Sequence, residues 1–163
     1  MTSKSDAQLA AQVVQALLER SWTIATGESL TAGLVVATLA DIPGCSQVLR
    51  GGVVAYVPEV KTEMLGVGPE VLASGIVSEP VALAMAKGAA ERLGADVGVG
   101  TTGAAGPESH DGAAPGTACI GLWSPSAERT RTVHVSGDRA QVRSDVTRIT
   151  LEAVLEFITA RSY

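Results

Sequence analysis

Aromatic residues are scarce in this chain of 163 residues, which contains two Trp, two Tyr and one Phe. So few rings cannot form the stacking platforms that usually bind single-stranded nucleic acids. Hydrophobic residues nevertheless make up 46% of the sequence, so the core must be built from Ala, Val, Leu and Ile. Helices and strands with such small side chains are expected to pack closely together.

The chain also lacks an excess of basic residues, paired cysteines and long apolar runs. Its 12 Lys and Arg against 17 Asp and Glu give a net charge of −5, which provides no general attraction to nucleic acids or anionic membranes. Cys45 and Cys119 are far apart and fit no metal-binding pattern. No run approaches the ~18 apolar residues of a membrane span, and Asp6 and Gln8 interrupt any signal peptide. We therefore expect a cytoplasmic protein, to which a small phosphorylated ligand can still bind.

Alternating helical and strand patterns predict an α/β protein with a single domain over residues 1–163. Asp6 is the expected cap of a first helix at 6–20, and a second helix is expected to start at Glu28 or Ser29. The other predicted elements are strands at 22–26, 51–57, 96–102, 117–123 and 131–135, and helices at 59–65, 70–74, 78–93 and 138–160. Strand 96–102 is small and apolar on both faces, which predicts a central position. We expect a three-layer α/β/α sandwich with a mixed parallel and antiparallel sheet.

A serine follows the first predicted strand, in the segment TGESLTAG at residues 26–33. If Ser29 begins a helix, the free N–H groups that follow it are suited to hold an oxyanion beside its hydroxyl. Such a serine is also favoured in a purely structural role as a helix cap, with Gly27 making the turn. This segment alone does not decide between the two.

A lysine follows the second predicted strand, in the segment YVPEVK at residues 56–61. Val57, Val60 and Leu65 provide an apolar setting that lowers the pKa of Lys61 and lets it act as a base, with Tyr56 to orient it. The alternative is an exposed lysine on a short helix.

A glycine-rich loop at residues 103–115 follows the predicted central strand, at the edge of the sheet where α/β proteins bind ligands. Its glycines allow backbone N–H groups to approach a phosphate or carbonyl, although the segment matches neither a P-loop nor a dinucleotide fingerprint. A flexible connector is the competing interpretation. His110 and His134 have no partners with triad or metal-ligand spacing, so neither a catalytic triad nor a metal site is predicted.

The order and spacing of these segments resemble the CinA C-terminal domain family, the nicotinamide-nucleotide amidases. Residues 28–33 (ESLTAG) match the family's Glu-Ser-Cys-Thr-Gly-Gly turn, and residues 50–61 (RGGVVAYVPEVK) match its segment from an Arg-Gly pair to a Lys. Further matches lie at 41–46 (DIPGCS), 75–79 (GIVSE), 102–107 (TGAAGP), 115–117 (PGT) and 137–143 (GDRAQVR). The resemblance covers about residues 7–160.

The resemblance implies hydrolysis of the carboxamide of nicotinamide mononucleotide (NMN) to the acid and ammonia, with no cofactor and no metal. It implies that Ser29 is the nucleophile, Lys61 the general base and Tyr56 an orienting or proton-relaying neighbour. The substrate, a phosphorylated pyridine nucleotide, would contact Glu28, Leu30, Thr31, Ala32, Gly33, Thr102, Gly103, Gly106, Arg139 and Arg143. A homo-oligomer is expected from the resemblance and the Ala-rich helix faces. We do not expect the N-terminal pyrophosphatase-type domain of the larger family members in this chain.

The resemblance also predicts which parts meet in space. Lys61 Nζ is expected within hydrogen-bond reach of the Ser29 hydroxyl, directly or through one water. The loop at 103–116 and the start of the last helix are expected to line one cavity, in which Arg139 or Arg143 neutralises the phosphate. Arg143 is the weaker candidate, because it can pair instead with Asp145 or Glu152.

Three residues depart from the family pattern: Leu30 stands for Cys, Ala32 for Gly and Pro58 for Asn. The Asn-to-Pro difference removes a backbone donor and an amide next to the predicted base. Two alternatives therefore stay open beside the NMN amidase. One is a nucleotide-binding or regulatory module without turnover, and the other is an amidase that acts on a different small amide.

Overall fold

A computed structural model describes residues 4–160, which form six α-helices, a short 3-10 helix at Cys45–Gln47 and five strands. The helices are α1 (Asp6–Arg20), α2 (Leu34–Ala40), α3 (Pro58–Leu65), α4 (Pro69–Leu72), α5 (Glu79–Leu93) and α6 (Arg139–Thr159). The strands are β1 (Ile24–Glu28), β2 (Leu49–Val54), β3 (Val97–Gly103), β4 (Thr117–Ser124) and β5 (Ala127–His134). No helix in this range has the length and hydropathy needed to cross a membrane.

The five strands form one mixed sheet in the order β2-β1-β3-β4-β5. β1 pairs in parallel with β2 and β3, whereas β4 is antiparallel to β3 and β5. Helices α1, α2 and α6 cover one face of the sheet, and α3, α4 and α5 cover the other. The predicted three-layer α/β/α sandwich with a mixed sheet and a central β3 is therefore confirmed.

The Ala- and Gly-rich surface of α5 lets this helix approach the sheet at backbone distance, as its composition predicts. A Cβ added to Gly100 of β3 would lie only 2.0 Å from the carbonyl oxygen of Ala82 on α5. A Cβ added to Gly98 would lie 1.9 Å from the carbonyl oxygen of Ala86. Glycine is required at both positions because a side chain would separate the helix from the strands that carry the site.

Replacing Gly100 by Ala is expected to lower the free energy of unfolding by about 2–3 kcal/mol, since the added methyl group meets the backbone of α5 rather than a movable side chain. Urea denaturation measures the change. Gly112→Ala is the matched control, because nothing lies within 4 Å of its added Cβ although its φ is +75°. An effect at Gly100 no larger than at Gly112 would contradict the close approach.

Two predicted helix starts are wrong. The cap of α1 is Ser5, whose hydroxyl accepts from the N–H of Gln8, and Asp6 is the first helical residue. The second helix begins at Leu34 rather than at Glu28 or Ser29. The preceding strand extends to Glu28 because β2 and β3 pair with it on both sides up to that residue. A turn over residues 29–33 therefore separates β1 from α2.

Candidate active site

A cavity of about 520 Å³ opens where β1, β2 and β3 end. Parallel strands commonly present ligand sites at this edge. Residues 103–110 and Arg139, the first residue of α6, complete its walls, so the loop and the helix start share one cavity as predicted, although residues 111–116 do not line it. Its lining residues are Ser29, Leu30, Tyr56, Val57, Pro58, Gly103, Ala104, Ala105, Gly106, Pro107, Glu108, Ser109, His110 and Arg139.

Ser29 lines this cavity and contacts Lys61, which is buried behind it and is not itself a lining residue. Lys61 Nζ lies 3.0 Å from Ser29 Oγ; Ser29 is the first residue after β1, and Lys61 lies in the first turn of α3. Lys61 has no exposed surface, and Ser29 is 7% exposed. Pro58 occupies the first position of α3, where a missing N–H costs nothing. The proline therefore leaves the position of the lysine undisturbed.

Burial lowers the pKa of Lys61 from its usual 10.5 to about 8, because the charged ammonium loses its hydration. Besides Ser29 Oγ, Nζ donates to the carbonyl oxygens of Ala55 at 2.8 Å and Tyr56 at 3.1 Å. A neutral amine has two N–H bonds and one lone pair. If the two carbonyls take the N–H bonds, the lone pair is left for the hydroxyl proton of Ser29.

Ser29 was predicted to lie at a helix N-terminus, but it begins a turn instead. This turn nevertheless provides free backbone N–H donors. Within residues 4–160, the N–H groups of Leu30 and Thr31 have no acceptor. The next N–H, of Ala32, donates to the carbonyl oxygen of Ser29 at 3.0 Å. The turn itself is fixed because Ser29 N donates to the carbonyl oxygen of Thr101 on β3 at 2.9 Å.

Glu28 does not line the cavity, in contrast to its predicted contact with substrate. Its carboxylate is fully buried and accepts hydrogen bonds from two hydroxyls and three backbone N–H groups. The donors are Thr26 Oγ1 at 3.0 Å, Thr31 Oγ1 at 2.7 Å, Gly33 N at 2.9 Å, Val35 N at 3.1 Å and Val36 N at 2.8 Å. The Glu28 carboxylate thus occupies the free N–H groups at the start of α2. Those N–H groups are therefore not available to bind a substrate.

Arg143 also lies behind the turn and does not line the cavity, in contrast to its predicted contact with phosphate. Its Nε donates to the carbonyl oxygen of Leu30 at 2.9 Å, and Nη2 donates to that of Thr31 at 3.2 Å. Neither expected carboxylate is its partner, and Asp145 pairs with Arg148 instead. The Leu30 carbonyl belongs to the same peptide unit as the free N–H of Thr31, so Arg143 polarises that donor.

Tyr56 and Arg139 form one wall of the cavity. The Tyr56 hydroxyl accepts from Arg139 Nη2 at 2.6 Å, and Arg139 Nη1 donates to the carbonyl oxygen of Gly106 at 2.8 Å. The Tyr56 side chain therefore orients Arg139, not Lys61 as predicted, and only the backbone carbonyl of Tyr56 reaches the lysine. Arg139 is exposed and is the one arginine that lines the cavity among the described residues.

The other residues predicted to contact substrate also fall into two groups, those that line the cavity and those that do not. Leu30, Gly103 and Gly106 line the cavity, whereas Thr31, Ala32, Gly33 and Thr102 do not. The Thr102 hydroxyl faces away and donates to the carbonyl oxygen of Ile76 at 2.9 Å. His110, for which no role was predicted, is exposed and lines the cavity. Among residues 4–160, no three His, Cys, Asp or Glu side chains are grouped as metal ligands.

Ala32 adopts a left-handed backbone conformation with φ of 47°, which disfavours side chains with a Cβ. Ala32→Gly is therefore expected to raise the free energy of unfolding by about 0.5–1 kcal/mol, measured by urea denaturation. Ala37→Gly, at an exposed position inside α2, is the control and should lower it by about 1 kcal/mol. A loss of stability in Ala32→Gly would show that the turn carries no such strain.

Comparison with known proteins agrees with the motif pattern. A model of the CinA C-terminal domain matches residues 6–158. A CinA-like protein from Frankia casuarinae is 45% identical over 141 residues, which are 86% of this chain and 33% of that protein. A CinA-like protein from Chlorobium limicola is 43% identical over 143 residues, again 33% of its length. The chain thus spans about a third of the length of these curated relatives.

Solved structures show the same fold over the full length of their chains. The competence damage-inducible protein A from Klebsiella pneumoniae has a TM-score of 0.93 at 30% identity, with 98% of this chain and 100% of that chain covered. The competence/damage inducible protein CihA from Agrobacterium tumefaciens has a TM-score of 0.88 at 30% identity, with 95% and 98% covered. Sequence, motifs and fold agree, and the chain belongs to the CinA C-terminal domain family.

Proposed function

We propose that this protein is an amidohydrolase that converts NMN to nicotinate mononucleotide and ammonia. The observation that carries the proposal is the buried contact of 3.0 Å between Lys61 Nζ and Ser29 Oγ, beside a cavity that Ser29 lines. A serine next to a lysine whose pKa is lowered to about 8 is an activated nucleophile. The choice of NMN rests on the motifs shared with nicotinamide-nucleotide amidases.

The first half of the reaction forms an acyl-enzyme. Neutral Lys61 takes the hydroxyl proton of Ser29, and the oxygen attacks the carboxamide carbon of the substrate. The resulting oxyanion is stabilised by the free N–H groups of Leu30 and Thr31. The Lys61 ammonium then donates its proton to the amide nitrogen, so that the C–N bond breaks, ammonia leaves and the acyl group stays on Ser29.

The second half returns the enzyme to its starting state. Lys61 is neutral again and takes a proton from a water molecule that attacks the ester carbon. The ester bond to Ser29 breaks, and the proton returns from Lys61 to the serine oxygen. The carboxylic acid product leaves and loses its own proton to solvent. One water is consumed and one ammonia released for each carboxamide hydrolysed.

Arg139 supports a substrate with an anionic group at the open end of the cavity. Two of its nitrogens are held by Tyr56 and Gly106, and a guanidinium has five N–H bonds, so donors are left for a phosphate. A mononucleotide is a drug-sized ligand, and a cavity of about 520 Å³ lies within the range that such ligands occupy. In this assignment the carboxamide of NMN lies at Ser29 and its phosphate at Arg139, both of which line the cavity.

Incubation of the purified protein with NMN, with detection of ammonia and of the acid product, tests the proposal. Release of ammonia that is lost in Ser29→Ala supports it. If NMN raises the melting temperature without turnover, the protein is a binding module of the same fold. If neither binding nor turnover occurs with NMN, the same assay with other small amides decides whether the site acts on a different substrate.

Arg139→Ala is expected to reduce the preference for NMN over nicotinamide riboside, as the ratio of their kcat/KM values, roughly 10- to 100-fold, because a charged hydrogen-bond donor to the phosphate is lost. Tyr56→Phe should reduce this preference less, since the variant removes one hydrogen bond that orients Arg139 but keeps the guanidinium. Arg148→Ala is the matched control, because Arg148 pairs with Asp145 outside the cavity. An unchanged preference in Arg139→Ala would remove the phosphate role from this residue.

A further inference from the structure

The cavity wall that follows β3 changes character along its length. Ala104 and Ala105 are buried, and Ala104 exchanges backbone hydrogen bonds with Thr117 and Gly116 at 2.9 and 2.8 Å. From Pro107 to His110, by contrast, all four cavity-lining residues are exposed. This outer wall has no core packing to hold it in place, so another interaction must fix its position.

The outer wall ends in a tight hairpin turn. His110 and Ala113 exchange two backbone hydrogen bonds of 3.0 and 2.9 Å. The two residues between them, Asp111 and Gly112, have φ of 49° and 75°, the positive values that a two-residue Asp-Gly hairpin turn requires. Residues 110–113 therefore form a hydrogen-bonded turn of a defined type.

Asp111 joins this turn to the body of the protein. Its Oδ2 accepts a hydrogen bond from the backbone N–H of Ile76, in the connection between α4 and α5. Among the described residues, this is the single hydrogen bond between residues 107–113 and any other part of the chain. Removing the carboxylate would leave the turn attached only through its two ends.

The segment that receives Asp111 is itself firmly held. The carbonyl oxygen of Ile76 accepts from Thr102 Oγ1 of β3 at 2.9 Å, and the carbonyl oxygen of Gly75 accepts from Ser78 Oγ at 2.7 Å. Ser78 is also the N-cap of α5. Asp111 thus connects the outer wall, through Ile76, to the central strand and to the helix that covers it.

We propose that Asp111 is a positioning residue, which holds residues 107–110 in place and thereby sets the affinity for substrate. Neither Asp111 nor Ile76 lines the cavity, so the carboxylate acts through the wall and touches no reacting atom. Ser29 and Lys61 are held by β1 and α3 and do not depend on this contact. The expected effect on substrate affinity rests on the proposed hydrolysis of NMN. The role of Asp111 in holding residues 107–110 does not.

Asp111→Gly is the sharpest variant, because it removes the carboxylate and leaves a residue that adopts a positive φ without cost. We expect KM for NMN to rise about tenfold while kcat stays within about twofold, since substrate binding is weakened and the chemistry is not. Asp111→Asn keeps one acceptor oxygen and tolerates the left-handed conformation, so it should recover part of the affinity. Asp41→Gly is the matched control, as Asp41 is exposed and its carboxylate has no hydrogen bond within residues 4–160.

Amide hydrogen exchange of the substrate-free variants provides a second measurement that does not depend on activity. Residues 107–113 and the N–H of Ile76 should exchange faster in Asp111→Gly than in the native protein or Asp41→Gly, with an unchanged melting temperature. Unchanged exchange overturns the proposal whether or not NMN is hydrolysed. Faster exchange with an unchanged KM overturns the link to substrate binding. If the native protein does not hydrolyse NMN, only the proposed function is wrong. Amide hydrogen exchange then still decides whether Asp111 holds residues 107–110 in place.

Discussion

Lys61→Met and Lys61→Arg are both expected to lose at least ~1000-fold in kcat at pH 8, because neither side chain can take the proton of Ser29. Methionine nearly preserves the length of the lysine and removes the cost of burying an amine, so this variant should keep the fold. Arginine keeps the positive charge but does not release a proton at any pH at which the protein is folded. Together the two variants separate loss of a base from loss of a charge.

The pH dependence of the native enzyme provides the independent measurement. The base must be neutral, and burial sets the pKa of Lys61 at about 8. The rate should therefore rise with pH through an apparent pKa of about 8 and reach a plateau above it. A lysine at its usual pKa of 10.5 would instead give a rate still rising at pH 10. Near-normal turnover by Lys61→Arg at pH 8 would show that Lys61 is not the base. It would then contribute through its positive charge or through substrate binding.

Sequence reasoning located the elements and the two central side chains, but not the residues that hold them. The proximity of Ser29 and Lys61 was implied by the family resemblance, since both segments match its motifs, and each residue follows a predicted strand. The role of Glu28 could not be inferred, because a carboxylate with five donors depends on how β1 enters the turn before α2. No local pattern distinguishes such an acid from one that faces a ligand.

The two arginines illustrate the same limit at longer range. Arg139 and Arg143 are four residues apart on α6, on neighbouring turns of one helix. One reaches Tyr56 and Gly106 in the cavity wall, and the other reaches the carbonyl groups behind the serine turn. Which arginine reaches which partner depends on where each turn of α6 lies against the loops, and that placement is set by tertiary packing rather than by the sequence of the helix.

Glu28→Ala is expected to lower the free energy of unfolding by about 3–5 kcal/mol, because three backbone N–H groups lose their acceptor, two hydroxyls lose a partner, and each unsatisfied buried donor costs about 1–3 kcal/mol. Urea denaturation at neutral pH measures this change, with Glu63→Ala as the control, since Glu63 is exposed on α3. A result for Glu28→Ala within about 0.5 kcal/mol of the control, the usual range for surface substitutions, would contradict the structural role.

Glu28→Gln provides the finer comparison, because it keeps the shape and one acceptor oxygen. The hydroxyls of Thr26 and Thr31 can rotate to accept from the new amide, whereas a backbone N–H cannot become an acceptor. Val36 donates to one carboxylate oxygen, and Gly33 and Val35 donate to the other. The amide therefore fits best with its nitrogen towards Val36, so that one backbone donor is lost. The expected loss is about 2–3 kcal/mol, the cost of one unsatisfied buried donor together with that of the missing charge. A carboxylate that bound substrate instead would leave the stability of both variants unchanged and would alter only KM.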